Sequence, residues 1–118
     1  MKVSRSQRLS SEYQKEIAHI ISTTLKYHNP EINGLISVTK ADVATDLKNA
    51  TVFISIYGVS DEKKQQTFNI IKDSAGFIRH ELSLVMNMRT VPTLHFMLDE
   101  SLAYGDKIDK IIKQIHKD

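Results

Sequence analysis

Two basic side chains flank a short run of small residues in the second half of the chain. The run is Ser74-Ala75-Gly76, with Lys72 before it and Arg79 after it. Gly76 costs roughly 1 kcal/mol in a helix interior relative to alanine, so it predicts a kink where a second helix begins. Ser74 is expected to cap that helix by accepting a hydrogen bond from an amide of its first turn. A helix N-terminus offers unpaired amides and partial positive charge, which favours an anion such as a phosphate group.

The spacing of the two basic residues also fits an extended polyanion. Lys72 and Arg79 are seven residues apart, so on a nearly continuous helix both point the same way, roughly 10 Å apart at 1.5 Å per residue. Both could then straddle a nucleic-acid backbone. The alternative is that Ala75 and Gly76 are small only so that a strand can pass closely beneath them. Residue types alone do not decide between the two interpretations.

A second basic group lies in a predicted N-terminal helix, Ser4 to Tyr27. The first 28 residues carry a local balance of +3 in a chain whose formal charge is +2. Arg5, Arg8 and Lys15 follow one another on the face opposite the apolar stripe, and a cluster of this kind makes a local positive field. An ordinary solvated surface with a Glu12–Lys15 ion pair explains the same residues. The apolar stripe consists of Leu9, Tyr13, Ile17, Ile20, Ile21 and Leu25.

Composition argues against most kinds of catalytic site. The 118-residue chain has no cysteine, which excludes a disulfide framework, a thiolate zinc site and a cysteine nucleophile. It contains no Gly-x-Ser-x-Gly, His-Glu-x-x-His or Walker-type phosphate loop. Asp99 and Glu100 are adjacent and would point to opposite faces of a strand end, so they are not expected to act as paired carboxylates. We therefore expect no catalysis, no cofactor, no metal and no small-molecule substrate.

The N-terminal residues lack an apolar run of signal-peptide length, and no segment approaches the roughly 20 apolar residues of a membrane span. A cytoplasmic protein without a membrane partner is expected.

The remaining pattern predicts a small mixed sheet covered by helices. Two runs rich in β-branched residues, Gly34–Val43 and Asn49–Tyr57, are separated by a short loop and predict an antiparallel hairpin. A third strand, Thr93–Leu98, follows the two central helices, and such a crossover favours a parallel pairing. The order α-β-β-α-kink-α-β is that of a two-layer α+β domain with a mixed three-stranded sheet.

The two central helices span residues 61–92. Ser60 is expected to cap the first helix, which buries Phe68 and Ile71. The second helix, from Phe77 to Met88, is expected to bury one apolar face and to end before Val91-Pro92. That face consists of Ile78, Leu82 and Val85.

A basic amphipathic helix is predicted for the C-terminal tail, residues 101–118. The domain proper is therefore assigned to residues 1–100. Tail helices of this type bind membranes or partner proteins, but the interspersed acidic residues and the short length favour a helix docked on its own domain or a frayed terminus.

Taken together, the element order resembles a type II KH domain, an RNA-binding fold whose central helices usually flank a Gly-x-x-Gly loop. This chain has no such loop and resembles instead the ribosome-binding factor A family, in which a small-residue kink replaces it. Ser74 departs from the alanine usual at that kink. The matching blocks are Val38-Thr39-Lys40-Ala41-Asp42-Val43, Asp46-Leu47, Ala50-Thr51-Val52-Phe53-Ile54-Ser55, Gly76-Phe77-Ile78-Arg79, Arg89-Thr90-Val91-Pro92-Thr93-Leu94-His95-Phe96 and Asp99-Glu100-Ser101.

The resemblance implies a bacterial, cytoplasmic, monomeric assembly factor that matters most in the cold. Its partners would be the immature 30S small ribosomal subunit and the 5′ end of 16S rRNA, with a role in late maturation and 5′-leader processing. The alternative is a generic KH module that binds single-stranded RNA as an adaptor. Exposed aromatic side chains would favour that alternative, and most of the Phe and Tyr residues fall at core-facing positions. The expected RNA-binding residues are Arg5, Arg8, Lys15, Lys72, Ser74, Ala75, Gly76, Arg79 and Arg89.

Overall fold

The computed structural model describes residues 5–88 and 90–100 of the chain. The predicted tail, residues 101–118, lies outside the described residues. The order of elements agrees with the α+β prediction. The elements are α1 (Arg5–Ile20), a π-helical segment (Ile21–Leu25), α2 (Lys26–His28), β1 (Leu35–Val43), β2 (Asn49–Tyr57), α3 (Asp61–Asp73), α4 (Ala75–Met86) and β3 (Thr93–Leu98).

The three strands form one mixed sheet in the order β1-β2-β3. Strands β1 and β2 are antiparallel, and their register shifts at a bulge between Val38 and Lys40. Strand β3 pairs with β2 in parallel, from Asn49 opposite Thr93 onward. The predicted hairpin and the predicted parallel crossover are therefore both confirmed. Strand β2 turns its β-branched side chains Val52 and Ile54 into the core, where both are fully buried.

The helices cover one face of this sheet and share its core. The largest fully buried side chains include Tyr13 and Ile17 from α1, Ile71 from α3, and Ile78 and Leu82 from α4. These positions repeat at three or four residues, which is the period that keeps one helix face toward the sheet.

Helix α4 differs from the prediction at its C-terminal end. Val85 was expected to be buried, but it is 53% exposed. The helix ends at Asn87, whose left-handed backbone (φ 51°) closes the last turn. Val91-Pro92 is therefore not what stops it. Asparagine tolerates this conformation better than most residues, so it ends the helix before the proline can act.

The N-terminal helix is not regular along its length, which the sequence did not predict. Five residues from Ile21 to Leu25 form the π-helical segment. The hydroxyl groups of Ser22 and Thr23 both donate to the carbonyl oxygen of His19, at 3.2 and 2.6 Å. Side-chain bonds of this kind compete with the backbone ladder, and the wider turn still buries both Ile21 and Leu25.

Side chains of α1 cover the outer edge of β1. The amide of Val43 donates to the hydroxyl of Ser10 at 3.0 Å, and the side-chain amide of Gln14 donates to the carbonyl oxygen of Val38 at 3.0 Å. An uncovered edge strand would present unpaired backbone groups to other chains. Helix α1 therefore both fills the core and protects the sheet edge.

The contacts of α1 with α4 show that the two helices run in opposite directions. In the middle of α1, the hydroxyl of Tyr13 donates to the sulfur of Met88, just beyond the end of α4, at 3.4 Å. Further along the chain, in α2, the ring of His28 meets the ring of Phe77, in the first turn of α4, at 5.9 Å. The N-terminal helical segments therefore run antiparallel to α4, with Tyr13 beside the C-terminal end of α4. This arrangement sets the distance between the basic residues of α1 and the start of α4.

Candidate nucleic-acid interface

The kink between α3 and α4 is a break of one residue. Ser74 alone departs from helical angles, with φ −92° and ψ 10°. Its amide still donates to the carbonyl oxygens of Ile70 and Ile71, and its carbonyl oxygen accepts from the amide of Ile78 at 2.9 Å. Hydrogen bonding thus continues across the break, so the two helices form one bent rod. We call residues 74–76 the elbow.

Ser74 does not cap α4 in the predicted way. Its hydroxyl donates backward to the carbonyl oxygen of Ile70 at 2.7 Å, and α4 has no side-chain cap. Ser60, before α3, shows the contrast: its extended backbone (φ −63°, ψ 160°) lets its hydroxyl accept from the amide of Lys63 at 3.2 Å. An N-cap needs such extended angles. The cap prediction was right at Ser60 and wrong at Ser74, because the elbow backbone stays close to helical.

The structure rejects one of the two explanations for the small residues. A side-chain carbon placed on Gly76 would meet no atom of the described chain within 4 Å, apart from its own helix and chain neighbours. No strand passes closely beneath this glycine, so packing within the described domain does not require it. Ala75, by contrast, is half-buried and packs against the core. Gly76 leaves open space at the protein surface.

Arg79 is engaged within the protein. Its Nε and Nη2 atoms donate to the carbonyl oxygen of Val91 at 3.2 and 2.9 Å. The guanidinium therefore ties the segment before β3 to α4, although its side chain remains exposed. Beside it is an open groove of about 340 Å³. The groove is lined by Gly76, Arg79, His80, Ser83, Thr90 and Val91.

Lys72 faces a different groove. It is exposed and lies with Leu94, His95, Phe96 and Met97 of β3 along a second cavity of about 340 Å³. Within residues 5–88 and 90–100, no carboxylate forms an ion pair with Lys72. Lys72 and Arg79 therefore line separate grooves, one before the elbow and one after it. A polyanion touching both would have to cross the elbow.

The basic residues of α1 lie far from this elbow. Arg5, Arg8 and Lys15 are exposed, and in the described part of the chain none of them forms an ion pair, including the predicted pair with Glu12. Burial raises the pKa of the Tyr13 hydroxyl, and the positive charge of Arg5 offsets part of that rise. The helical segments run from Arg5 to His28, whose ring contacts Phe77 beside the elbow, so Arg5 lies roughly 30 to 35 Å from that contact at 1.5 Å per residue.

The predicted RNA-binding residues thus form two groups rather than one compact site. The elbow group comprises Lys72, residues 74–76 and Arg79, and the N-terminal group comprises Arg5, Arg8 and Lys15. Arg89 lies outside the described residues.

Comparison with known proteins identifies the family. Residues 5–112 match the family model described as ribosome-binding factor A. The chain belongs to the ribosome-binding factor A family. Among relatives of that name, the protein of Caldanaerobacter subterraneus subsp. tengcongensis is 44% identical over 96% of this chain and 90% of its own. The protein of Clostridium novyi is 41% identical over 92% of this chain and 87% of its own.

Solved structures agree on the fold. A crystal structure of ribosome-binding factor A from Thermus thermophilus has a TM-score of 0.65 at 15% identity, covering 80% of this chain and 97% of that one. A solution structure from Thermotoga maritima, described as a putative ribosome binding factor A, has a TM-score of 0.66 at 21% identity, covering 86% of this chain and 92% of that one. The KH-like α+β architecture inferred from the sequence is confirmed.

The described residues also show what the remaining polar groups do. Asp99 accepts from the hydroxyl of Thr39 at 2.6 Å, and its carbonyl oxygen accepts from the buried hydroxyl of Ser55 at 2.8 Å. Glu100 pairs with Lys64 at 3.7 Å. The two acids thus tie together strands and α3, and they do not form a carboxylate pair. In the described part of the chain, no group of three metal-binding side chains occurs and no helix is long and apolar enough to cross a membrane.

The structure contains one aromatic group that the sequence prediction missed. Tyr27 is 81% exposed, and its ring meets that of His28, which in turn meets that of Phe77. The signal in the sequence is that Tyr27 falls out of phase with the apolar stripe ending at Leu25. We call residues 27, 28 and 77 the aromatic cluster.

Proposed function

We propose that this protein is a non-catalytic assembly factor that binds the immature 30S subunit near the 5′ end of 16S rRNA. It supports late maturation of the subunit and removal of the 5′ leader. The observation that carries the proposal is the family match over residues 5–112. A further neighbour, with a TM-score of 0.62 at 15% identity, is a homology model of Thermus thermophilus ribosome binding factor A fitted into a cryo-EM map of a 30S complex.

The proposed RNA-binding surface combines the elbow group, the N-terminal group and Arg89. Exposed cations without a carboxylate partner in the described chain support this assignment. A basic side chain that is not already neutralised by a carboxylate can neutralise an RNA phosphate, and the release of counterions then favours binding. The open space at Gly76 supports it as well, because a residue without a side chain allows a phosphate backbone to approach the helix.

The experiment is sedimentation of the purified protein with a ribosomal extract. We expect recovery with free small subunits and not with translating ribosomes. Primer extension on the 16S rRNA of the co-sedimenting subunits should show enrichment of 5′-extended precursor. Lys40→Ala, which removes an exposed cation of β1 outside the proposed surface, should sediment as the unaltered protein does.

Equal recovery with polysomes would contradict the assembly role. Recovery with free subunits that carry only mature 5′ ends would contradict the role in leader removal.

A further inference from the structure

Tyr27 is unusual among the aromatic residues of the domain. Tyr13, Phe68 and Phe96 are buried, and Phe53 and Tyr57 are half-buried. Among the Phe and Tyr residues within 5–88 and 90–100, Tyr27 is the only one more than half exposed, at 81%. The Tyr27 ring is thus exposed to solvent, whereas most of the other described aromatic side chains are covered.

The backbone that carries Tyr27 is well anchored. Leu25, two residues earlier, is buried in the core. The amide of Asn29 donates to the carbonyl oxygen of Leu25 at 2.9 Å, and the side-chain amide of Asn29 donates to the same oxygen at 3.1 Å. These bonds close the end of α2. Tyr27 therefore projects from a fixed helix end rather than from a loop.

The rings of the aromatic cluster meet edge to face. The Tyr27 and His28 centroids are 5.4 Å apart with an angle of 84° between the planes, and the His28 and Phe77 centroids are 5.9 Å apart at 77°. Aromatic pairs favour this geometry. A perpendicular contact uses at most one face of a ring, so at least one face of Tyr27 stays open. Two tyrosine torsions then place a flat apolar surface at little cost in conformational entropy.

The charged residues close to the cluster in sequence do not select RNA over an acidic protein segment, because both partners are anionic. Lys26 and Lys72 are exposed, and no carboxylate of the described chain pairs with them. Asp73 is exposed as well, beside the elbow. Asp73 offsets part of this positive charge, so a contact that does not depend on charge adds to the phosphate contacts proposed for Lys72 and Arg79. Stacking of a base on an aromatic ring is such a contact.

We infer that Tyr27, braced by His28 and Phe77, is a stacking platform for an unpaired nucleobase of the RNA that the elbow binds. Phe77 directly follows Gly76, so the platform begins where the proposed backbone contact ends. The inference rests on the proposed function, since it assigns one contact within that interface. Tyr27 alone among the described Phe and Tyr residues is more than half exposed, which is one base contact and not the series of exposed aromatics expected of the single-stranded RNA adaptor. The affinity contributed by this base contact does not depend on the salt concentration, whereas the affinity contributed by the proposed phosphate contacts does.

The test measures the affinity for free small subunits at several salt concentrations. Tyr27→Ala should weaken binding about 5- to 150-fold, the range expected for one stacked base, and should leave the salt dependence unchanged. Tyr27→Phe and Tyr27→Trp keep an aromatic face and should retain most of the affinity. Tyr27→Leu keeps apolar surface without an aromatic face, so it should lose affinity nearly as Tyr27→Ala does.

Leu35→Ala is the matched control, because Leu35 is 71% exposed, lies in β1 and is not aromatic. It should bind as the unaltered protein does, and melting temperatures should show that each variant folds. Unchanged affinity of Tyr27→Ala would overturn the inference. Full retention by Tyr27→Leu would also overturn it, since an apolar protein partner would then explain the surface. Failure of the unaltered protein to bind subunits would instead refute the proposed function.

Discussion

The two basic groups differ in how the domain uses them. The N-terminal group lies on the solvent face of a long helix, and within the described chain its cations have no carboxylate partner. In the elbow group, Arg79 is already bonded to the carbonyl oxygen of Val91. An arginine can therefore be exposed without a carboxylate partner in one part of the described domain and hydrogen-bonded to the backbone in another. Sequence spacing alone does not separate these roles.

The difference also concerns distance. An RNA that touches both groups has to extend roughly 30 to 35 Å, the distance from Arg5 to His28 along the helical segments at 1.5 Å per residue. A ligand bound in a single pocket would not reach both. The two groups are thus better suited to an extended polyanion than to a compact ligand.

The largest effect on stability is expected at Arg79. Arg79→Ala removes both bonds to Val91 and should lower the free energy of unfolding by about 1.5 kcal/mol, near the lower end for charged hydrogen bonds because the side chain is exposed. It should also weaken subunit binding. Denaturant unfolding and subunit affinity are measured together.

Arg79→Lys separates the two roles, because it keeps the charge but not the forked geometry. It should recover most of the binding and less of the stability. If it restored neither binding nor stability, Arg79 would act through its geometry alone.

A smaller effect, of opposite sign, is expected at Gly76. Gly76→Ala should raise the stability by up to about 1 kcal/mol, because alanine favours the helix and its methyl group has open space. The same methyl group should hold an RNA backbone away and weaken subunit binding by roughly 3- to 10-fold. Thermal unfolding and affinity should therefore move in opposite directions.

Gln66→Ala is the control for Gly76→Ala. It changes an exposed position of α3 to a better helix former and should raise the stability slightly without a loss of affinity. Unchanged binding by Gly76→Ala would mean that nothing approaches the elbow closely.

The smallest effects on stability are expected for the free cations. Arg8→Ala and Lys72→Ala should change the free energy of unfolding by no more than about 0.5 kcal/mol. Each should reduce the slope of log affinity against log salt by about 0.7 to 0.9, the value for one released counterion. Lys40→Ala should leave the slope unchanged. A reduced slope for Lys72→Ala but not for Arg8→Ala would confine the RNA to the elbow.

The amino-acid sequence by itself determined the elements and their order. Asn49–Tyr57 and Thr93–Leu98 agree with the predicted strand bounds, and the kink lies at the predicted small residues. The matching sequence blocks also identified the family. These properties depend on local patterns, because a period of two or of about 3.6 residues marks the buried face of a strand or helix wherever it packs.

Only the tertiary structure decided which residues come together. Three features depend on how the elements pack and on the course of the chain between α4 and β3. They are the bond of Arg79 to Val91, the open space at Gly76 and the exposure of Tyr27. Periodicity predicts that a face is buried, but not which element lies opposite or in which direction it runs. The N-terminal arginines were therefore correctly predicted to be exposed, while their distance from the elbow became apparent only once the two helices were packed.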